Sequence, residues 1–513
     1  MIKSVLVVGA GSAGLLAAIA LKRKIPQLSV TVLRDPATPV IGVGESTTPS
    51  VPSFLFEYLK LNPRPFYDTT KATWKIGIHF LWGPRPHFEY GFTPQLDAKW
   101  SDLPKANGFY CEEDFSFCDI TGSLMAHKKS FVRAPGGGPI MTDGHAFHLY
   151  NPTFVQFLED TCQQLGVPFI DAKMEGTEKG PKGLAAVILA DGRRIEADLF
   201  VDSSGFRSEL LGKAMGEPFI SFASSLPCNR AIPGTIERTN QPTLPYTTAE
   251  TMDAGWCWQI EHEHAINRGY VYCAEAISDD QAREEMIRKN PGIVPWDHVI
   301  KYKSGRYERL WVENVVGIGN ASGFVEPLEA TALMVACANC QNLTEFLIQC
   351  NLTPNETIRR LYNHVTAGSW DDIRNFLSLH YRYNTRLATP FWKQANAESD
   401  ISGTTQLLEF YEENGPIGLN RYLMGNTGIT SGLHSAFGLE GYLVILVGLK
   451  VPYRARHVPA PAEWATWKRH QADNSARAGA GLTVEEALQY IRHPAWRWEA
   501  EVRNPGLSAK AAV

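Results

Sequence analysis

A glycine-rich turn near the amino terminus constrains the fold of this chain more than any other feature of its sequence. Gly9, Gly11 and Gly14 have the spacing GxGxxG and stand between an apolar run at 4–8 and a compact apolar run at 15–21. The first run predicts a strand buried on both faces of a parallel sheet, and the second predicts a helix packed on that sheet. Strand, glycines and helix in this order predict an α/β, Rossmann-like fold.

A dinucleotide is expected at the N-terminus of that helix, where exposed N–H groups favour phosphate. The residues predicted to contact it are Gly9, Gly11, Ser12, Ala13 and Gly14. The next strand, 29–33, ends in Arg34 and Asp35, where an acid commonly holds the ribose hydroxyls. Asp35 lies at the expected distance from Gly14, whereas Arg34 occupies the more usual acidic position. Both are candidates for contact with the cofactor, and a solvated strand end is the alternative for either.

Two further strand-to-glycine breaks favour FAD over a nicotinamide cofactor. Residues 198–205 predict a buried strand that ends in Asp202 and a glycine, and residues 315–323 predict another that breaks at Gly319 and Gly323. Because small residues let backbone approach a flat ring system, these breaks suggest one extended cofactor crossed by several loops. No second GxGxxG follows a strand. We therefore expect FAD, bound as FADH2 and supplied by a separate NAD(P)H flavin reductase.

A fourth segment is predicted to pass beneath the flavin. Gly44, Glu45, Ser46 and Thr47 follow another glycine, Gly42, and the glycines give this loop the freedom to approach the ring system closely. The four residues from 44 to 47 are therefore predicted to contact the FAD.

The cofactor-binding segments are interleaved with the rest of the chain. The FAD-binding domain is predicted at 1–50, 140–215 and 305–350, a β-rich substrate layer at 51–139 and 216–304, and a mainly helical carboxyl-terminal region at 351–513. The inserted segments are rich in aromatic, Gly and Pro residues, which is typical of sheets and loops that line an apolar pocket. A chain of 513 residues with 44% hydrophobic side chains is long enough for a multi-part enzyme.

Charge and cysteine content exclude several kinds of partner. The formal charge of −5 arises from 49 basic and 54 acidic residues without long runs of one sign, so nucleic acid is not expected to bind. The nine cysteines form no paired metal-binding motif, which predicts reduced core residues and no metal site. Because neither a secretory signal nor an apolar stretch of about 18 residues is visible, the chain is predicted to be cytoplasmic and not membrane-bound.

A candidate catalytic lysine lies in the alternating run 73–80. Period-two alternation in one strand would place Trp74, Ile76, Ile78 and Phe80 on one face and Lys75, Gly77 and His79 on the other. Lys75 and His79 are thus predicted to point the same way. Since lysine is seldom buried without reason, the alternative is a solvent-facing side of the strand.

Two carboxylates, Glu326 and Glu329, precede an apolar helical run at 333–348. Exposed N–H groups at a helix N-terminus favour a carboxylate, so helix capping is one interpretation of both residues. The same free amides around Thr331 would alternatively hold chloride or another small anion.

With these motifs in place, the sequence resembles the flavin-dependent halogenases of the tryptophan-halogenase type, in the FAD monooxygenase-like superfamily. The matching segments are 9–14, 42–48, 202–207, 256–260 and 323–331, together with Lys75 in its strand. The resemblance implies that FADH2 and dioxygen give a flavin C4a-hydroperoxide, which oxidises chloride or bromide to hypohalous acid. It further implies electrophilic halogenation of an electron-rich aromatic of the indole, phenol or pyrrole type.

The resemblance also implies roles for individual residues, and a possible homodimer. Lys75 would receive the hypohalous acid, Glu329 would be the second catalytic residue, and Thr331 and Ala332 would bind the halide. Burial would lower the pKa of Lys75 towards neutrality. Glu329 would stabilise the cationic ring intermediate or take its proton.

Departures from the family pattern bear on the substrate. Glu261 stands in place of a proline after the tryptophans at 256 and 258, Ala330 in place of a serine, and Arg34 in place of an acid. An aromatic lacking the amino-acid handle is therefore as plausible a substrate as tryptophan. The candidate substrate-pocket residues are His79, His87 and Phe88. The alternative functions are a flavin-dependent aromatic hydroxylase, with its substrate beside the flavin, and a catalytically idle FAD-binding protein.

Overall fold

The computed structural model describes residues 1–38, 44–97, 99–141, 144–418 and 436–498. Gly42, predicted to lie beneath the cofactor, falls outside the described residues. One of the two large sheets contains six strands in the order Phe169–Asp171, Ser29–Arg34, Ser4–Val8, Leu199–Asp202, Val315–Gly317 and Trp311–Val312. The first five strands run parallel, and the sixth pairs antiparallel at the edge. The predicted α/β, Rossmann-like fold is confirmed.

The helix predicted after the glycine turn spans Ser12–Lys24, and its residues from Gly14 to Leu21 are buried without interruption. This burial arises because the helix packs on the six-stranded sheet and also contacts the helices Asn151–Gln164 and Thr331–Gln349. An all-apolar helix face is what such two-sided packing requires.

A second large sheet has eight strands. Its order is Val294–Pro295, Arg230–Glu237, Ala265–Tyr272, Gly255–Glu261, Thr247–Met252, Gly77–Leu81 and Phe88–Gly91, with Ile300–Lys301 also paired to Arg230–Glu237. The pairings are antiparallel except that of Gly77–Leu81 with Thr247–Met252. These strands come from the segments predicted to form the substrate layer.

A small antiparallel sheet of three strands lies against the eight-stranded sheet. Its central strand, Ala146–Tyr150, pairs with Gly44–Ser46 on one side and with Thr73–Lys75 on the other. The register places both Ser46 and Thr73 opposite His148.

The alternating run at 73–80 is not one strand. Thr73–Lys75 belongs to the small sheet and Gly77–Leu81 to the eight-stranded sheet. Between them, the Ile76 N–H donates to the Pro245 carbonyl at 2.8 Å, and the Ile76 carbonyl accepts from the Phe92 N–H at 3.0 Å. Ile76 thus continues the ladder of the eight-stranded sheet, and the chain changes sheets between Lys75 and Ile76. The prediction that Lys75 and His79 share one face of a continuous strand is therefore wrong.

Helices dominate the described part of the chain after residue 330. The longer helices are Ser12–Lys24, Asn151–Gln164, Asp279–Lys289, Thr331–Gln349, Glu356–Tyr383, Pro390–Glu398, Thr405–Asn414, Gly438–Gly448, Pro461–Gly479 and Val484–Arg492. Shorter ones are Pro63–Thr70 and Ile120–Ala126, and a further three-stranded sheet contains Met174–Gly180, Gly183–Leu189 and Arg194–Glu196. Among the described helices, none combines the length and the hydrophobicity that a bilayer span requires.

Candidate active site

The glycine turn is crowded at two of its glycines and open at the third. A methyl group at Gly14 would lie 2.1 Å from the Gly9 carbonyl oxygen, and one at Gly9, where φ is +112°, would lie 2.4 Å from the Ser203 carbonyl oxygen. At Gly11 nothing in the described chain lies within 4 Å of that position. Gly9 and Gly14 are therefore needed for packing, whereas the open flank of Gly11 fits a pyrophosphate at the start of the helix.

The ends of the strands Leu199–Asp202 and Val315–Gly317 lie beside the glycine turn. The Ile318 N–H donates to the Asp202 carbonyl at 2.9 Å, so the glycine break after the strand Val315–Gly317 lies beside the one after Leu199–Asp202. Gly319 has φ of +59°, and a methyl group there would lie 2.7 Å from Cβ of Ala13. The loop that begins at Gly319 and leads to Gly323 therefore passes against the first turn of the helix Ser12–Lys24.

Asp202 and Arg34 are engaged in contacts within the protein. The buried Asp202 carboxylate accepts backbone N–H groups of the following turn at 2.8 to 3.0 Å. Arg34 Nε donates to Asp171 at 2.6 Å, and its guanidinium also donates to Glu159 at 2.8 Å. Both side chains stabilise the strand ends that carry them, so any contact with a cofactor would be additional to these bonds.

Lys75 is fully buried, at 0% exposure, at the end of the strand Thr73–Lys75. Its Nζ donates to the Thr47 carbonyl at 3.1 Å and lies 5.0 Å from the centroid of the Phe92 ring. Burial lowers the pKa of Lys75 to about 7, and the negative charge of Glu329 opposes this shift. The amine is therefore divided between charged and neutral forms near neutral pH, and the solvent-facing alternative is wrong.

Glu329, only 2% exposed, ends the short turn Pro327–Glu329. Its Oε1 lies 2.8 Å from Nε2 of His380, in the helix Glu356–Tyr383. The His380 carbonyl accepts the indole N–H of Trp82 at 3.0 Å, which helps fix this part of the helix. The sequence analysis did not identify His380, since no local motif marks it and it lies 51 residues from Glu329.

Hydroxyl groups connect the small sheet to the eight-stranded sheet beside Lys75. Oγ1 of Thr247 lies 2.7 Å from Oγ of Ser46 and 2.9 Å from Nε2 of His148. Burial holds the pKa of His148 well below its ordinary value, and the charge of Lys75 lowers it further, so this imidazole is neutral. Sequence reasoning missed His148 because it occupies an unremarkable position in a short buried strand.

The helix Thr331–Gln349 begins without a side-chain cap. Ala330, directly before it, is left-handed with φ of 58°, and no capping hydrogen bond is formed there. Oγ1 of Thr331 is buried and has no hydrogen-bond partner among the described residues. Because the N–H groups of a first turn lack intrahelical acceptors, this end of the helix suits a small anion. The capping interpretation of Glu326 and Glu329 is therefore wrong.

The predicted pocket residues His79, His87 and Phe88 lie in or beside the eight-stranded sheet. Nδ1 of His79 is 2.8 Å from Oε1 of Glu89, and the His79 and His87 ring centroids are 4.8 Å apart. Phe88 is buried and stacks on Phe80. These are contacts within the protein, and the place of the three residues in a substrate pocket stays a prediction. An aromatic ring beside the Lys75 amine is that of Phe92, which the sequence did not mark.

The segment at 256–260 is buried on the strand Gly255–Glu261 except at the half-buried Gln259. Nε1 of Trp256 donates to Oε2 of Glu326 at 3.4 Å, which ties this strand to the loop before the helix Thr331–Gln349. Glu261 forms a buried ion pair with Arg238 and accepts from Gln259 at 2.6 Å. Its charge is thus compensated within the sheet.

A cavity of about 1810 Å³ lies beside the loop that follows Gly319. Its walls include Phe206, Cys228, Tyr302, Asn320 and Phe324. Neither Lys75 nor Glu329 is among the described residues that line it. The buried amine and carboxylate are therefore set apart from the large opening next to the cofactor loops.

A parallel sheet that carries a glycine turn shaped for a pyrophosphate, in a fold that also contains a buried amine and a buried carboxylate, defines the chain as an α/β enzyme of the dinucleotide-dependent class. The sequence profile of the tryptophan halogenase family matches residues 4–462. The chain belongs to the tryptophan halogenase family, and it is a flavin-dependent halogenase, as the sequence resemblance predicted.

Individual relatives agree with this assignment. Tryptophan 7-halogenase KtzQ from Kutzneria sp. (strain 744) is 30% identical over 454 residues, which cover 82% of this chain and 83% of that protein. Among solved structures, the lanthipeptide tryptophan 5-halogenase MibH is 36% identical with a TM-score of 0.85, covering 99% of this chain and 95% of that chain. BrvH, a flavin-dependent halogenase from Brevundimonas sp. BAL3, is 26% identical with a TM-score of 0.80, covering 95% and 99% respectively.

Proposed function

We propose that this halogenase binds FADH2 at the glycine turn, forms hypohalous acid there, and passes it to Lys75 for halogenation of an electron-rich aromatic carbon. The observation that carries the proposal is the buried Lys75 amine, whose pKa is lowered to about 7 beside the Glu329 carboxylate. An amine with these properties is nucleophilic near neutral pH, whereas an exposed lysine is almost entirely charged there.

The residues that would hold the flavin lie in the glycine turn, in the loop that begins at Gly319, and in the first strand of the small sheet. Gly11, Ser12 and Ala13 offer the start of a helix to the pyrophosphate. Gly319 follows the end of the strand Val315–Gly317. The residues from 44 to 47 include Thr47, whose carbonyl accepts from Lys75. When bound in reduced form, the flavin supplies, with dioxygen, the oxidising equivalents that convert halide to hypohalous acid. A separate NAD(P)H flavin reductase would deliver it, since the sequence has no second GxGxxG motif after a strand.

Chloride or bromide would bind at Thr331 and Ala332. The N–H groups of this first turn and the unpartnered Thr331 hydroxyl are hydrogen-bond donors, and a halide accepts such bonds without needing to donate any. The positive end of the helix dipole adds to this attraction.

Lys75 would receive the halogen in its neutral form. The N–halogen bond forms as the O–halogen bond of the hypohalous acid breaks, and a proton lost from nitrogen combines with the departing hydroxide to give water. The Thr47 carbonyl, 3.1 Å away, accepts one amine hydrogen and so helps to orient the nitrogen lone pair. Alternatively the amine would hold intact hypohalous acid by a hydrogen bond, with the same requirement for position.

Glu329 would act on the substrate side of Lys75. Attack of the aromatic carbon on halogen leaves a positively charged ring, which a buried carboxylate stabilises and from which it can remove the proton. The bond to His380 at 2.8 Å fixes the carboxylate in position for this step.

An indole-type substrate is favoured by the relatives, among which KtzQ and MibH are tryptophan halogenases. MibH is further described as a lanthipeptide enzyme, so a tryptophan within a peptide joins free indoles, phenols and pyrroles as a candidate for this chain. Mass spectrometry of products from free tryptophan, an indole, a phenol and a tryptophan-containing peptide, each with chloride and with bromide, would identify the substrate class.

The test of the proposal is the Lys75→Ala variant supplied with FADH2, dioxygen and bromide. Oxygen consumption and release of hypobromite are expected to continue, whereas brominated product is lost. Loss of oxygen consumption in a variant that still binds FAD would place the lysine at the flavin, contrary to the proposal. Retained bromination at the same position of the aromatic ring would show that Lys75 is not the carrier.

A further inference from the structure

Cys111 and Cys118 are two thiols in mutual contact that the proposed chemistry does not use. Both are buried, at 0% and 2% exposure, and both are free cysteines. The Cys118 thiol donates a hydrogen bond to the Cys111 sulfur, which together with burial holds the pKa of Cys118 well above its ordinary value. Residues 112–117 separate the two cysteines in the sequence. A disulfide between them would therefore close a short loop by joining sulfur atoms that are already neighbours.

A buried cation and a buried acid flank the thiol pair. The Arg85 guanidinium donates to the Cys111 carbonyl at 2.8 Å, and its Nε has no hydrogen-bond partner among the described residues. Burial lowers the pKa of Arg85, and interaction with the Cys111 thiol opposes this shift. On the other side, Cys118 Sγ lies 3.7 Å from Oδ1 of Asp119. Burial raises the pKa of Asp119 to about 6, so this carboxyl is mostly ionised at neutral pH and can accept a proton.

The thiol pair is connected to the segment that carries Phe92, whose ring centroid is 5.0 Å from the Lys75 amine. Gln95 follows Phe92 closely in the chain, and its Nε2 donates to Oδ1 of Asp119 at 3.2 Å. The same carboxyl oxygen lies against Cys118 Sγ. A short series of contacts thus leads from the surroundings of the proposed carrier amine to a pair of oxidisable sulfur atoms.

A second series of contacts leads from the pair towards the proposed catalytic carboxylate. The Arg85 guanidinium lies 5.4 Å from the centroid of Phe115, and the Phe115 and Phe88 centroids are 5.8 Å apart. Phe88 stacks on Phe80 at 5.0 Å, and Phe80 lies 5.5 Å from the ring of His380, which holds that carboxylate. These aromatic side chains are buried. Neutral hypohalous acid can cross such apolar packing at lower cost than an ion can.

We infer that the thiols of Cys111 and Cys118 trap hypohalous acid that escapes capture by Lys75, and that they form a disulfide in doing so. The inference rests on the proposed function, which supplies the oxidant. It assigns to this pair a protective reaction inside the protein, because oxidant consumed here does not reach other side chains or the solvent.

The reaction has two steps. Cys111 takes the halogen: the S–halogen bond forms as the O–halogen bond of hypohalous acid breaks, and the thiol proton combines with the departing hydroxide to give water. Cys118 then attacks the Cys111 sulfur, so the S–S bond forms as the S–halogen bond breaks, and the Cys118 proton passes to Asp119. The two thiols together lose two electrons, and the halogen gains them and leaves as halide, whose charge Arg85 can stabilise.

Peptide mapping after turnover without an aromatic substrate tests the inference. The full-length protein is given FADH2, dioxygen and bromide, with catalase to remove hydrogen peroxide, and is then alkylated and digested with trypsin. Both cysteines fall in the tryptic peptide 106–128, so the disulfide appears as a loss of two hydrogen atoms from a peptide that resists alkylation. Lys75→Ala should form several times more of this disulfide than the wild type at equal oxygen consumption, since capture by the amine is lost.

Two variants made in the Lys75→Ala background provide a matched comparison. Cys118→Ser removes one thiol of the pair, whereas Cys162→Ser removes a fully buried thiol elsewhere, whose Sγ lies 3.9 Å from the Leu15 carbonyl oxygen. With FADH2 limited to one equivalent per chain, Cys118→Ser should increase the hypobromite trapped in solution and Cys162→Ser should leave it unchanged. Omission of bromide should leave the pair reduced in every variant.

The outcomes separate the trap from the proposed function. Hypobromite in solution without a disulfide in Lys75→Ala overturns the trap and leaves the proposed function intact. A disulfide that forms without bromide overturns the trap as well, and so does oxidation of the half-buried Cys350 ahead of the pair, since the oxidant would then arrive through solvent. Oxygen consumption by Lys75→Ala with neither hypobromite nor disulfide overturns both proposals. If Cys118→Ser does not fold, peptide mapping of the wild type and Lys75→Ala decides the question.

Discussion

The neutral fraction of Lys75 should set how efficiently the protein captures hypohalous acid. Only a neutral amine has the free electron pair that forms an N–halogen bond. With a pKa of about 7, the neutral fraction rises from about 9% at pH 6 to about 91% at pH 8, a change of about tenfold. A solvent-exposed lysine would stay below about 1% neutral over the same range.

The informative perturbation is Glu329→Gln. The negative charge of Glu329 raises the pKa of Lys75 against the larger lowering by burial. Removing that charge lowers the pKa further, so more amine is neutral at pH 6. Glu329→Gln should therefore capture more halogen than the wild type at pH 6, although it forms little halogenated product.

Capture is measured without an aromatic substrate. The protein is given FADH2, dioxygen and bromide, passed through a desalting column, and titrated with iodide for the oxidising equivalents that remain bound. Lys75→Met supplies the background from other side chains, and hypobromite trapped in solution from that variant normalises the yield at each pH. Capture that stays constant between pH 6 and pH 8, or a midpoint that moves to higher pH in Glu329→Gln, would refute the buried-amine reasoning.

Three other predictions concern binding and stability. Gly14→Ala should cost about 1–3 kcal/mol of unfolding free energy in urea because the methyl would lie 2.1 Å from a carbonyl oxygen. Gly11→Ala meets no neighbouring atom and replaces only a glycine N-cap, so it should cost the cofactor-free protein less, about 1 kcal/mol at most, yet weaken FAD binding in a fluorescence titration; equal losses of stability in the two variants would contradict this. Glu261→Gln should destabilise the protein by about 3–5 kcal/mol, since it leaves Arg238 buried without its counter-ion; adding Arg238→Met should recover much of that loss in a thermal melt. Asp202→Ala should cost about 1–3 kcal/mol, also by thermal melting, because the backbone N–H groups of its turn lose their acceptor.

The glycine turn was predictable from the sequence because the residues that shape it are close together in the chain. The roles of Gly9 and Gly14 follow from the close packing of adjacent strand and helix, which their spacing encodes. Lys75 was singled out by a pattern that implied a continuous strand, and the family resemblance, not the pattern, gave reason to expect it to be buried. The chain changes sheets beside Ile76, whose N–H donates to Pro245 and whose carbonyl accepts from Phe92, and alternation of side chains carries no information about such distant partners.

The contacts that complete the site were not predictable from the sequence. His380 meets Glu329 through the docking of a long helix, and His148 meets Thr247 through the meeting of two sheets. Neither residue belongs to a local motif, so only tertiary packing brings it to the site. The unpartnered hydroxyl of Thr331 is likewise a property of the folded chain, since capping seemed the simpler use of acids before a helix.

The small sheet fixes the distance between the segment Gly44–Ser46 and Lys75, and enzyme engineering should preserve that distance. Its central strand, Ala146–Tyr150, is bonded on one edge to the segment from Gly44 to Ser46 and on the other to the strand that ends in Lys75. The segment proposed to contact the flavin and the amine proposed to carry the halogen are thus bonded to the same strand. Activity on new substrates is best sought by substituting residues outside the small sheet, such as Phe92. Such changes would alter the surroundings of the Lys75 amine without changing its distance from the segment Gly44–Ser46.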